Sequence, residues 1–238
     1  ITPISPIGIR ISKRTAVRHL KEFKNGFFEV QDEGSQLASL LCGVKEKETV
    51  IDLCSGAGGK SLAISDLVEK IKIIATDIDV NRLERIKERA IRLKVKDKIF
   101  IEKDYYSIKL KADRIVCDVP CSGSGTWRRR PEEKLNLDKN KFQYLLDVQK
   151  NILNYAASLL KIGGEIVYIT CSILDNENKD QINLFLKNNS NFEIVDLQDS
   201  WNNITKSQDW YSKEPFCQLT PFVHKCDGFF LARLVKKN

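Results

Sequence analysis

From about residue 48 the chain alternates short β-branched runs with stretches of helical periodicity, and no other feature constrains its fold more. Strands separated by helices are joined by crossovers rather than tight hairpins, so they pair in parallel. The pattern predicts strands at 49–53, 72–76, 98–102, 114–118, 165–170, 193–197 and 229–234. Helices are expected at 60–69, 80–93, 141–160 and 176–187. In the second of these, Leu83, Ile86, Ala90 and Leu93 share one face, with Arg82, Glu84, Arg85, Lys87 and Glu88 opposite. The expectation is an α/β domain over 48–238, a doubly wound, mostly parallel seven-stranded sheet that binds ligands beyond its C-terminal strand ends. Residues 1–47 stand outside the alternation and read as the C-terminal part of an accessory segment. The basic stretch 120–134 interrupts the order and is expected to be a long functional loop.

The 238 residues suffice for one sizeable core, and 42% hydrophobic with 30% charged residues is the make-up of a globular protein. No apolar run nears the roughly 18 residues that span a bilayer. The N-terminus lacks a signal-peptide pattern, so a cytoplasmic setting is expected, with no membrane partner. The excess of 39 basic over 32 acidic residues suits a polyanion, although a lysine-rich surface without a partner explains it equally well. Seven cysteines argue against a closed disulfide framework, and with no Cys-x-x-Cys pair and two remote histidines, His19 and His224, no metal site is expected. The chain holds no methionine and starts at Ile1, so it reads as part of a longer protein or as a chain stripped of its methionines.

The segment from Val50 to Lys60 runs from a strand through Cys54, Ser55, Gly56, Ala57, Gly58 and Gly59 into a helix. Glycines let a backbone turn sharply and approach a ligand closely, as in several nucleotide loops. It is not a phosphate-binding loop of the Walker type, because the four-residue spacer is missing. Asp77 closes the second strand, where an acid can accept both hydroxyls of a ribose. Asp104 follows the third strand, placed to reach an adenine amino group. Both could instead cap helices.

Strand four ends in Asp118-Val119-Pro120-Cys121-Ser122-Gly123 and strand five in Thr170-Cys171-Ser172. A single buried cysteine is most often packing material. Two at the ends of neighbouring parallel strands place their thiols on the rim that holds the nucleotide loop.

These residues carry a resemblance. With Val30-Gln31-Asp32-Glu33-Gly34-Ser35-Gln36-Leu37, Gly125-Thr126-Trp127-Arg128-Arg129-Arg130-Pro131, Asn176-Glu177-Asn178 and Asp227-Gly228-Phe229-Phe230-Leu231-Ala232, the chain resembles the Sun/Fmu (RsmB-like) and nucleolar-protein family of RNA cytosine-C5 methyltransferases. The opening Thr2–Arg10 stretch resembles the bacterial small-subunit rRNA branch. The resemblance implies a Rossmann-like class I methyltransferase domain, S-adenosylmethionine as cofactor, RNA as partner and a monomer. It implies Cys171 as the thiol that adds to carbon 6 of a flipped-out cytosine, and Cys121 as the helper of proton removal and release. Asp118 is expected to hold a proton on the N3 edge while facing the cofactor, with Lys60 supporting it. Cys54 to Lys60, Asp77, Asp104 and Asp118 are the expected cofactor residues. Arg128, Arg129 and Arg130 are expected to hold phosphates, against a reading as a solvated basic loop, and Trp127 to stack on a base or anchor the loop. The loop reads Ser55-Gly56-Ala57-Gly58-Gly59 where many relatives carry Ala-Ala-Pro-Gly-Gly.

A DNA cytosine methyltransferase would share Pro120-Cys121 but needs a Glu-Asn-Val tripeptide where this chain has Thr170-Cys171-Ser172. An amino-group methyltransferase needs an Asp/Asn-Pro-Pro-aromatic motif, which Asp118-Val119-Pro120-Cys121 does not supply. A tRNA substrate and a non-catalytic role in RNA binding or ribosome assembly are the remaining alternatives. Nothing in the sequence indicates what would activate Cys171, whose thiol would ordinarily be protonated at neutral pH.

Overall fold

A computed structural model describes residues 1–13, 15–205 and 214–238. Its strands are β1 (Thr49–Asp52), β2 (Lys72–Ala75), β3 (Ile99–Ile101), β4 (Ala112–Asp118), β5 (Leu160–Thr170), β6 (Phe192–Val195), β7 (Cys217–Leu219) and β8 (Phe229–Lys236). Seven of them run in the order β3-β2-β1-β4-β5-β8-β6, and β7 pairs with β8 beside that path. Strands β1 to β5 are mutually parallel, while β8 is antiparallel to β5, β6 and β7. The expected α/β doubly wound sheet is therefore present, with one short strand more than the alternation shows. The direction of winding reverses between β1 and β4, so their C-terminal ends open a crevice of the kind that holds ligands in such sheets.

Side chains alternate across the sheet as strand geometry demands, and each face buries its own core. Val50, Val116 and Val167 face one side, where the helices Glu33–Leu41, Gly59–Leu67 and Val80–Arg92 supply Leu37, Leu62 and Leu83. Ile51, Ile115 and Ile166 face the other, against Leu153 and Ala156 of Lys139–Leu159 and Ile182 of Lys179–Asn188. The helix Glu33–Leu41 belongs to the first of these cores although it precedes the alternation. Its N-terminus is capped by Asp32, whose side chain accepts from the Gly34 amide.

The stretch 120–134 is more ordered than the long loop expected. It holds a 3-10 turn at Ser124–Thr126 and a short helix, Pro131–Leu135, begun by a proline that lacks the amide hydrogen a first helical turn leaves unpaired. At the opposite end of the sheet, Arg114 is buried between Glu48 and Glu165, and Arg233 also holds Glu165. Among the described residues no helix is long and apolar enough to cross a membrane, and no cluster of three or more His, Cys, Asp or Glu could hold a metal ion.

Candidate active site

The loop after β1 turns where the sequence places its glycines. Gly56 and Gly58 have φ of 53° and 78°, the left-handed region that glycine enters without strain. A Cβ on Gly58 would come within 2.8 Å of the Ile86 side chain, so its size matters as well as its backbone. Ser55 binds the Thr76 carbonyl through both its amide and its hydroxyl, and Asp77 accepts from the Gly56 amide at 2.7 Å. Asp77 is buried and also accepts from the Asp79 amide. Arg89 donates to the Ala57 carbonyl. Above Gly59, at the first turn of the following helix, an added Cβ would meet no atom within 4 Å.

Asp104 lies beyond β3 and caps the 3-10 turn Tyr105–Ser107 by accepting from the Tyr106 amide. That is the capping role weighed against it. Cys54 is partly buried beside the loop, and burial pushes its thiol up.

Lys60 projects from the loop's helix to Asp118 at the end of β4, Nζ to Oδ2 at 2.6 Å. The ammonium also stands 5.1 Å from the centre of the Phe229 ring. Burial opposes the charge on Lys60, but the Asp118 carboxylate outweighs it and holds the lysine above its ordinary value. The Asp118 side chain keeps 32% of its surface open, so the pair presents a carboxylate to the crevice.

Cys121 and Cys171 leave adjacent parallel strands, β4 and β5, and their sulfur atoms lie 3.4 Å apart with both thiols free. The Cys171 thiol is held below its usual range, chiefly by its hydrogen bond with Cys121; burial and the Asp118 charge oppose this, and the Lys60 ammonium assists. Cys121 is pushed up well above its usual range, first by its bond to Cys171 and then by burial and nearby negative charge.

Several residues fix these two loops. The Gly125 amide donates to the Cys171 carbonyl at 2.9 Å, and the Gly228 amide donates to the Gly125 carbonyl at 2.9 Å. A Cβ on Gly125 would run into the Gly228 carbonyl, closer than real Cβ contacts come, so only glycine fits there. Asn178 accepts from the Thr170 hydroxyl and donates to the Ser172 carbonyl, while Glu177 accepts from the Ser122 amide at 2.7 Å and its hydroxyl at 2.5 Å. Gln218, on the short strand β7, donates to the Ser172 carbonyl. Sequence reasoning gave no role to Glu177, Gln149, Gln218 or Asp227, because their partners are distant along the chain.

The arginine run is partnered rather than free. Arg128 and Arg129 both pair with the fully buried Asp227, and Arg130 pairs with Glu133 at 3.0 Å. Arg128 and Arg129 nevertheless stay about half exposed beside the thiols, at 50% and 47%. Trp127 donates to the Ser122 carbonyl at 3.2 Å, which anchors the loop.

A family model described as 16S rRNA methyltransferase RsmB/F matches residues 39–235. Ribosomal RNA small subunit methyltransferase B of Shewanella oneidensis is 35% identical over 98% of this chain and 53% of its own length. The protein of the same name from Photorhabdus laumondii is 34% identical over 99% of this chain and 53% of its own. The chain thus spans about half the length of the curated relatives it matches. Among solved structures, PH0851 superposes with a TM-score of 0.84 at 31% identity, covering 94% of this chain and 50% of that one. NSun6 from Pyrococcus horikoshii with SFG superposes at 0.80 and 25% identity, covering 94% of this chain and 57% of that one.

Proposed function

The chain belongs to the RsmB/F family of 16S rRNA methyltransferases, and from that premise we propose that it methylates carbon 5 of a cytosine in ribosomal RNA, using S-adenosylmethionine. The observation that carries this reading is the pair of sulfurs 3.4 Å apart, with the Cys171 thiol held below its usual range, beside the Lys60–Asp118 ion pair.

The loop residues suit the cofactor. Cys54 to Lys60 form a turn of left-handed glycines, the space over Gly59 is open, and the Asp77 carboxylate is buried at the loop's edge. Asp77 would hold ribose hydroxyls, Asp104 would reach adenine, and Asp118 would face the reacting end. When bound there, S-adenosylmethionine supplies the methyl group.

The chain's own residues would do the rest. Carbon 5 of cytosine is a poor nucleophile until a thiolate adds to carbon 6, which Cys171 would do. As the sulfur adds, N3 would take up a proton from water and donate it in a hydrogen bond to the Asp118 carboxylate, so that the electron pair displaced by the sulfur is stabilised on the base. Lys60 keeps Asp118 oriented. After methylation, the carbon-5 proton must leave before the carbon–sulfur bond can break. Cys121, whose sulfur lies 3.4 Å from that of Cys171, is the base beside it once its own proton has passed to water. The target base must be unstacked to reach these groups, and Arg128, Arg129 and Arg130 would hold the flanking phosphates. Residues 1–47 would act as the end of an accessory RNA-binding segment, in a cytoplasmic monomer.

The reading is tested by incubating the chain with unmethylated 16S rRNA, and separately with unmethylated tRNA, in the presence of methyl-labelled S-adenosylmethionine, followed by bisulfite sequencing. Label in the RNA and one newly protected cytosine are expected. Label that appears in tRNA alone would move the substrate, and no label in either RNA would contradict the reading.

A further inference from the structure

Cys121 is gripped on both sides. The Gln149 amide donates to the Pro120 carbonyl at 3.0 Å, and Glu177 takes the Ser122 amide at 2.7 Å and the Ser122 hydroxyl at 2.5 Å. Gln149 also donates to Glu177 at 3.1 Å. Glu177 is wholly buried in the turn that follows Cys171, so one side chain ties the two thiol loops together.

The donors that reach Glu177 are neutral, and a buried carboxylate is costly without a compensating charge. A glutamine could make the same clamp at lower cost. Its oxygen could accept from the Ser122 and Gln149 amides, and its NH2 could donate to the Ser122 hydroxyl oxygen in place of the bond that Glu177 accepts. The hydrogen bonds therefore do not account for the charge. The nearest chemistry that a charge could serve is Cys121, the neighbour of Ser122.

We propose that Glu177 is a positioning residue for methyl transfer: its carboxylate seats Cys121 against Cys171 and keeps the shared proton on Cys121, leaving Cys171 as the ionised sulfur. This rests on the reading of Cys171 as nucleophile. A negative charge opposes ionisation of the thiol nearer to it. Glu177 contributes to the upward push on Cys121, and Tyr168, whose hydroxyl donates to the Glu177 carbonyl at 2.6 Å, lies beside both. On the other side of the pair, Lys60 from the loop helix favours the Cys171 charge, while Asp118 from β4 opposes it. Arg129 senses the Cys171 charge from the loop after Trp127. Glu177 thus acts on the Cys121 side of the pair, while the Lys60–Asp118 ion pair stands on the Cys171 side.

The test is single-hit iodoacetamide labelling of the folded protein across pH, with peptide mapping of which sulfur reacts. The native protein is expected to react first at Cys171. In Glu177→Gln the preference for Cys171 over Cys121 at pH 7 should fall by about threefold to tenfold, as a relative pKa change of about half a unit to one unit would give. Glu177→Asp, which keeps the charge, should restore most of it. Ser122→Ala weakens the clamp but keeps the charge, so it should hold the native preference; should Glu177→Gln not fold, a loss of preference in Ser122→Ala would overturn the proposal, and Glu177→Ala with the same labelling would read the charge. Equal loss of preference in Ser122→Ala and Glu177→Gln would make Glu177 a clamp only and overturn the proposal. An unchanged preference in a folded Glu177→Gln would also overturn it, with Cys171 still the nucleophile. A native protein that reacts first at Cys121 would overturn the proposal together with the assignment of the nucleophile.

Discussion

The sulfur of Cys121 lies 3.4 Å from that of Cys171, although 50 residues separate them along the chain. Parallel pairing of β4 with β5 brings them together, since each thiol follows the end of its strand. At that distance one proton can be shared; the hydrogen bond with Cys121 does most to hold the Cys171 thiol low, and the Lys60 ammonium adds to it.

Lys60→Gln should make Cys171 harder to ionise. A cation lowers a neighbouring thiol's pKa, so removing it raises that pKa, and the Asp118 charge is then left unopposed. The midpoint of Cys171 alkylation should move to higher pH, with labelling at pH 7 slower by about threefold to tenfold. An unmoved midpoint would show that Cys121 alone supports the charge.

Two glycines should respond in opposite ways to alanine. Gly59→Ala has open space for its Cβ and helical backbone, so stability should hold or rise by about 0.4–1 kcal/mol. Calorimetry should nonetheless show weaker S-adenosylmethionine binding, by about tenfold or 1.4 kcal/mol, because the Cβ enters the proposed cradle. Gly125→Ala should lose about 1–3 kcal/mol, since its Cβ collides with the Gly228 carbonyl. Denaturant unfolding of both variants reads the difference.

Asp52 should make stability fall as pH rises towards neutrality. The carboxyl is buried with one oxygen unpartnered, and burial raises its pKa from 3.8 to about 7, while the Ser61 hydroxyl partly offsets this. Between those values the folded state binds more protons than the unfolded chain, so stability declines across the window. Asp52→Asn should remove that slope, at about 1.4 kcal/mol for each unit of pKa difference. Tm compared for the two proteins at pH 4 and pH 7 should show the variant gaining on the native protein at the higher pH.

Asp227 separates two roles of the arginine run. Asp227→Ala removes the buried partner of Arg128 and Arg129 and should cost about 1–3 kcal/mol, less than a fully buried pair because both arginines are half exposed. Arg129→Ala should in addition reduce the salt dependence of RNA binding by about one unit of slope if the guanidinium holds a phosphate. An unchanged slope would assign Arg129 to the Asp227 pair alone.

Much of the fold was legible because it rests on local patterning. Strands β1, β2 and β4 carry β-branched runs such as Val50-Ile51 and Ile115-Val116, and Leu83, Ile86 and Ala90 mark their helix by spacing alone. The cysteine pair was legible for the same reason, since position after a parallel strand fixes the rim a residue occupies. The strand β7 was not, because Cys217-Gln218-Leu219 has no alternation of its own and is extended through pairing with β8. The helix Gln198–Thr205 was likewise missed; what holds it is Trp201, buried in the first core with its ring edge-on to His224. Glu177 and Asp227 were unreadable as site residues because each is defined by partners 55 and 98 residues away.

The most direct measurement is denaturing electrophoresis of Cys121→Ala and Cys171→Ala after incubation with RNA and methyl-labelled S-adenosylmethionine. Cys121→Ala should accumulate a covalent RNA–protein adduct, because addition proceeds and release stalls. Cys171→Ala should give neither adduct nor labelled RNA. An adduct formed by Cys171→Ala, with normal turnover in Cys121→Ala, would contradict the division of roles between the two sulfurs.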